Sequence, residues 1–170
     1  MPKKKKWTPP NVLKTILIGC EWESEYTFLS YLKELYYPRW EGFDVTPKNM
    51  RWWSPRVTIA RAQNEGHDHK YVWIDTDRPE IEKARTLAEK SWMIIFENNP
   101  CLEWEILRML WKIKKTSDYK GTFEKCFPGE DLCDKKTYLK LFPKEKIDEL
   151  RRNNNCILED IIKLLETGEI

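Results

Sequence analysis

Short apolar runs alternate with amphipathic stretches over residues 14–115, and this alternation predicts strands and helices in turn. Thr15-Ile-Leu-Ile-Gly-Cys20 is a continuous apolar run ending in small residues, which reads as a buried strand. From Ser24 to Tyr37 the apolar residues fall at Phe28, Leu29, Leu32, Leu35 and Tyr36, the spacing of one helical face, and Pro38 marks its end. A loop-rich stretch with Pro47 and Pro55 follows, and Arg56-Val-Thr-Ile-Ala60 predicts a second strand. Gln63 to His69 is polar and contains Gly66, so it reads as a loop. Tyr71-Val-Trp-Ile74 predicts the third strand, closed by Asp75-Thr-Asp77-Arg-Pro79. A helix is expected from Pro79 to Lys90, a fourth strand over Trp92–Phe96, and a helix from Cys101 to Lys115. Thr116 to Phe142 is mixed, and one or two final helices cover Lys144 to Glu166, interrupted near Asn153-Asn-Asn155.

The expected fold is therefore α/β: a mostly parallel four-stranded sheet flanked by helices, with a C-terminal helical extension. Residues 1–13 read as a basic arm with Lys3 to Lys6, residues 14–115 as the α/β domain, and 116–170 as a mostly helical extension packed on it. The arm is either a solvated tail or a phosphate contact. At 170 residues the chain suffices for one domain with a buried core. Thirty Lys and Arg oppose 28 Asp and Glu, so net charge alone does not demand a nucleic-acid partner. Nine Trp, seven Tyr and six Phe exceed what a chain of this size usually carries; most belong to the core, and a minority could stack on nucleobases. Five cysteines without a CxxC pair argue against a disulfide framework. With no apolar signal region and no apolar run approaching ~20 residues, the expectation is a cytoplasmic protein without a membrane partner.

Functional groups in an open α/β sheet gather just past the carboxyl ends of the strands. Those positions hold Glu21 after the first strand, Asp75 and Asp77 after the third, and Glu97 after the fourth. Asp75 and Asp77 are two apart, so in extended backbone their carboxylates point the same way. Converging carboxylates repel one another and lose solvation, and a divalent cation offsets both costs. Oxygen-only ligands favour Mg²⁺ or Mn²⁺ over zinc. Glu23 and Glu25 add further acid beside Glu21. Taken alone, Asp-x-Asp after a strand is also a helix cap with a solvated turn. His67 and His69 read as exposed loop residues, with a general-acid role open only if their loop folds back toward the carboxylates. There is no P-loop, GxGxxG, GxSxG or HExxH.

Three segments in this order resemble the RloB-like branch of the Toprim superfamily. Ile16-Leu-Ile-Gly-Cys-Glu21-Trp-Glu-Ser-Glu25-Tyr-Thr-Phe28 is similar to its strand followed by a glutamate. Tyr71-Val-Trp-Ile-Asp75-Thr-Asp77 is similar to its strand ending in Asp-x-Asp. Phe96-Glu-Asn-Asn99-Pro100-Cys101-Leu-Glu103-Trp-Glu-Ile-Leu107 matches its Asn-Pro-Cys segment most specifically. The resemblance implies a Toprim-like sheet in which Glu21 is a metal ligand or general acid/base. By the same token Asp75 and Asp77 hold Mg²⁺ or Mn²⁺, and Glu103 and Asn99 line the site with Glu25 beside them. Trp22 stands where the family has glycine, and Leu102 where it has an aromatic. The link between the second and third predicted strands is about ten residues, short of the dozen a parallel crossover needs.

What the resemblance implies is a Mg²⁺-dependent nuclease acting on RNA such as tRNA, or on DNA, in prokaryotic anti-phage defence, with a partner protein of a defence system possible. Arg39, Arg51, Arg56 and Arg78 are candidates for backbone contacts, and Arg51-Trp-Trp-Ser-Pro-Arg56 interleaves basic and aromatic side chains as single-strand binders do. The alternative is a catalytically decayed module of the same shape that binds nucleic acid or a protein. A metal-dependent phosphohydrolase on small nucleotides is a third reading.

Overall fold

In a computed structural model of the chain, residues 14–38, 42–51, 54–111, 117–152 and 156–170 are described. The basic arm, Arg39, Trp52 and Trp53 lie outside them. Four strands form the centre: β1 (Lys14–Cys20), β2 (Phe43–Asn49), β3 (His69–Asp75) and β4 (Ile94–Asn98). They make one sheet in the order β2-β1-β3-β4, with every neighbouring pair parallel. Among the described residues eight helices surround it: α1 (Glu23–Tyr36), α2 (Pro55–Gln63), α3 (Ile81–Lys90), α4 (Leu102–Trp111), α5 (Tyr119–Cys126), α6 (Lys135–Leu141), α7 (Lys144–Arg152) and α8 (Cys156–Thr167). The α/β fold with a C-terminal helical part is thus as the hydrophobic pattern indicates.

Strand pleating divides the core in two. Ile16, Ile18, Tyr71, Trp73 and Phe96 face the larger layer with α1, α4 and the C-terminal helices. Leu17, Val72 and Ile74 face a smaller layer with Ile59 and Ala62 of α2 and Ala84 and Ala88 of α3. Both faces of β1 and β3 are therefore covered, which is why these strands read as unbroken apolar runs. Gly19 leaves room for the Met50 side chain, which a Cβ there would meet at 2.9 Å. Phe123, Tyr138, Phe142, Ile147 and Ile161 belong to the same buried cluster as β1 and α1. Phe28 stacks on Tyr138 with centroids 4.6 Å apart, and Tyr31 Oη donates to the Phe142 carbonyl at 2.6 Å.

One predicted element changes type. Arg56–Ala60 is not a strand; it lies inside α2, which begins with Pro55 in its first turn. Val57, Thr58 and Ile59 carry β propensity, but Ile59 and Ala62 sit three apart and bury one helical face. The real second strand is Phe43–Asn49, where Phe43 and Val45 are buried in alternation with Asp44 and Thr46. Pro47 is tolerated there because β2 is an edge strand. With α2 as the crossover, the short link disappears and β2 pairs parallel to β1.

The fourth strand is displaced by two residues, to Ile94–Asn98, because Ser91 and Trp92 form the turn that ends α3. Within the mixed segment two helices start on aspartate caps: Asp118 accepts from the Gly121 N–H and Asp134 from the Lys136 N–H, both at 2.9 Å. Helix α4 is described to Trp111, and the interruption at 153–155 lies outside the described residues. No helix among the described residues is long and apolar enough to cross a membrane.

Candidate functional site

Parallel strands deliver their carboxyl ends to one edge, and three acidic or amide side chains arrive there together. The Glu21 N–H donates to the Trp73 carbonyl at 3.1 Å, which extends the β1–β3 ladder one residue and fixes where the Glu21 side chain leaves it. Asp75 ends β3 directly opposite Asn98, the last residue of β4. Glu25 enters from the first turn of α1. Glu21, Glu25 and Asn98 are fully buried, and Asp75 is nearly so.

Asn98 organises the cluster. Its Oδ1 accepts from Trp73 Nε1 at 2.8 Å, so its Nδ2 must face the carboxyls. That nitrogen donates to Asp75 Oδ1 at 2.9 Å and to Glu25 Oε1 at 3.4 Å. Glu25 also accepts from Ser24 Oγ at 3.1 Å. Glu21 Oε2 accepts from the Asp75 N–H at 3.4 Å, whereas its Oε1 is buried with no partner among the described residues.

Burial and mutual repulsion raise the proton affinity of these groups. Burial first, then the Asp75 charge, pushes Glu21 up from 4.5 to about 7. Burial also raises Asp75 to about 6; Asn98 opposes this, while Glu103 and Asp77 add to it. Glu25 is raised well above its ordinary value by burial and then by Asp75 and Glu103.

Through Asp75 the cluster reaches a cleft of about 480 Å³, while Glu21, Glu25 and Asn98 stay buried behind it. Asp75, Asp77 and Glu103 line it near the strand ends, Trp22 stands on one side, and Lys120 and Phe123 come from α5. Asp77 is half-exposed, 3.6 Å from Arg78 Nε, and the Arg78 guanidinium lies over the Trp22 ring at 5.3 Å. Glu103, in the first turn of α4, lies 3.8 Å from Lys120 Nζ. The Asp75–Asp77 loop is tethered by the Pro100 carbonyl, which accepts from the N–H groups of Thr76 (2.9 Å) and Asp77 (3.1 Å). Among the described residues, seven carboxyl side chains and two cations line the cleft, so its field favours cations and opposes a bare phosphate.

The ligand atoms that Glu21 and Asp75 offer are carboxylate oxygens, and one of them, Glu21 Oε1, has no partner among the described residues; this chemistry fits a hard cation. Among the described residues, however, no three His, Cys, Asp or Glu side chains stand as a ready ligand set. Glu21, Asp75, Asp77, Glu103, Glu25 and Arg78 are brought to this end of the sheet. Asn99 is exposed and reaches Thr76 Oγ1 at 3.4 Å outside the cleft lining. Arg51 and Arg56 are exposed and do not line the cleft. Glu97 turns to the opposite face and pairs with Arg85 at 2.7 Å. His67 and His69 remain at the amino end of β3, so their loop does not fold back. Asn98 and Lys120 escaped the sequence reading; extending the fourth strand by two residues would have placed Asn98 on the Phe96 face.

Comparison of the chain with protein-family models, with curated proteins and with solved structures gave no match.

Proposed function

We propose that the chain is a Mg²⁺- or Mn²⁺-dependent nuclease of Toprim type, cleaving phosphodiester bonds in RNA such as tRNA, or in DNA. The observation that carries this reading is the meeting of Glu21 and Asp75 at adjacent strand ends, buried and mutually repelling, with Asp75 lining the cleft. Asp75 and Asp77, with Glu21, are the residues that would hold the cation. When bound, such a cation polarises a phosphoryl oxygen and offsets charge that develops on it. Glu21, with a value near 7 and an oxygen to spare, either accepts the proton of the attacking water or completes the coordination. Asn98 orients Asp75, and Arg78 and Lys120 offer the cleft's positive charge to the substrate backbone.

A second reading, a non-cleaving module that binds nucleic acid or a protein, is favoured by two observations. Arg78 lies over Trp22 in the cleft wall, and no three acidic side chains are spaced as ligands among the described residues. Incubating purified protein with total tRNA, single-stranded RNA and DNA in Mg²⁺ or Mn²⁺ separates the two. Cleavage abolished by EDTA supports the nuclease; tight binding without cleavage on any substrate supports the module.

A further inference from the structure

Helix α3 ends in a hydrogen-bond pattern that ordinarily calls for glycine. The Met93 N–H donates to the Ala88 carbonyl at 3.0 Å and the Trp92 N–H to the Glu89 carbonyl at 3.2 Å, which puts Trp92 at the left-handed position after the cap. Its φ is +55°, and its side chain is 94 % exposed. A bulky residue there strains the backbone, and an indole in water gains nothing from burial. Neither cost has a structural return among the described residues.

Trp92 is one of the residues that border a second cavity of about 300 Å³, with His67, His69, Lys70, Ser91 and Ile94. This cavity lies at the amino end of β3. Asp75 is six residues along that strand, about 20 Å away at 3.3 Å per residue. Two buried polar atoms on residues lining it, His67 Nδ1 and Ser91 Oγ, have no partner among the described residues. The neighbouring Asp68 carboxylate is turned to β1, where it accepts from the Thr15 N–H at 2.8 Å and from Thr15 Oγ1 at 2.7 Å. Lys70 Nζ donates to the Gln63 carbonyl at 2.7 Å and keeps its remaining donors. An apolar anchor from a protein would leave His67 Nδ1 and Ser91 Oγ unpaired. A planar heterocycle with a polar edge satisfies both once the His67 ring and the Ser91 hydroxyl turn toward the cavity.

We propose that this cavity binds a nucleotide: the base stacks on Trp92 with its hydrogen-bonding edge toward His67 Nδ1 and Ser91 Oγ, and the phosphate lies at Lys70 and His69. A free nucleotide and an unpaired base of a single strand present the same chemistry. The site stands apart from the carboxylate cluster and does not depend on cleavage there.

The test is a titration of the full-length protein in EDTA, following the Trp92 indole N–H signal by NMR, assigned from its loss in Trp92→Gly. The probes are the four ribonucleoside monophosphates and short single-stranded oligonucleotides. The expected result is a saturable shift of that signal. Affinity measured by calorimetry should fall about tenfold or more in Trp92→Gly, the scale of one base–aromatic stack, and also in Ser91→Ala. Saturation by monophosphates identifies a free nucleotide as the ligand; saturation by oligonucleotides alone identifies a strand. Trp92→Gly suits the backbone and should keep the fold, so lost binding there reports the ring. An unmoved Trp92 signal with every probe, the result if only water fills the cavity, would overturn the proposal, as would unchanged affinity in Trp92→Gly.

Discussion

Replacing Glu21 by Gln should stabilise the metal-free protein while removing the group proposed to work in it. Burial and Asp75 raise Glu21 from 4.5 to about 7, which at 1.36 kcal/mol per pH unit amounts to about 3 kcal/mol. The folded state binds this proton more tightly than the unfolded chain does. The contribution is therefore fully present below 4.5 and is lost as pH rises through 7. Gln keeps the shape and can still accept from the Asp75 N–H, but it carries no charge at any pH. Urea denaturation in EDTA should thus show Glu21→Gln gaining about 2–3 kcal/mol over the wild type at pH 8 and almost nothing at pH 4. For a chain of this length the pH 8 gain corresponds to about 4–10 °C in Tm. A variant no more stable than the wild type at pH 8, or a difference independent of pH, would refute the claim that Glu21 is held at electrostatic cost.

Asn98→Leu should destabilise the protein by about 2–4 kcal/mol, since Asp75, Glu25 and Trp73 Nε1 lose a buried partner at once; a change under about 0.5 kcal/mol in chemical denaturation would contradict its organising role. Mn²⁺ at pH 8 should raise the Tm of the wild type, by about 1.4 kcal/mol of stability at ten times its Kd, and should leave Asp75→Asn unmoved. Equal shifts in both would place the cation elsewhere. Trp92→Gly should be neutral or raise stability by up to about 1 kcal/mol, because glycine suits the left-handed conformation at φ +55°; a thermal melt showing a clear loss would mean that the indole packs.

The strand ends that carry Glu21 and Asp75 were legible because β1 and β3 are covered on both faces, which writes them as unbroken apolar runs. β2 was not, because an edge strand with Asp44, Thr46 and Pro47 along it resembles a loop. α2 was misread for the converse reason: its β-branched residues suit either conformation, and packing against β1 and β3 decided the matter. A single boundary hid the residue that orders the site. Counting Trp92 and Met93 into the fourth strand ended it at Phe96, which left Asn98 in a loop and drew attention to Asn99 instead. The cleft wall was unreadable in another way, since Lys120 and Phe123 sit on a short helix whose place beside Glu103 depends on long-range packing.

The most direct test of the nuclease reading is Mg²⁺- or Mn²⁺-dependent cleavage by the Asp75→Asn, Asp77→Asn double variant beside the wild type, with nucleic-acid binding measured in parallel. The account predicts cleavage by the wild type, none by the double variant, and binding retained in both. Persistent metal-dependent cleavage by the double variant would contradict it.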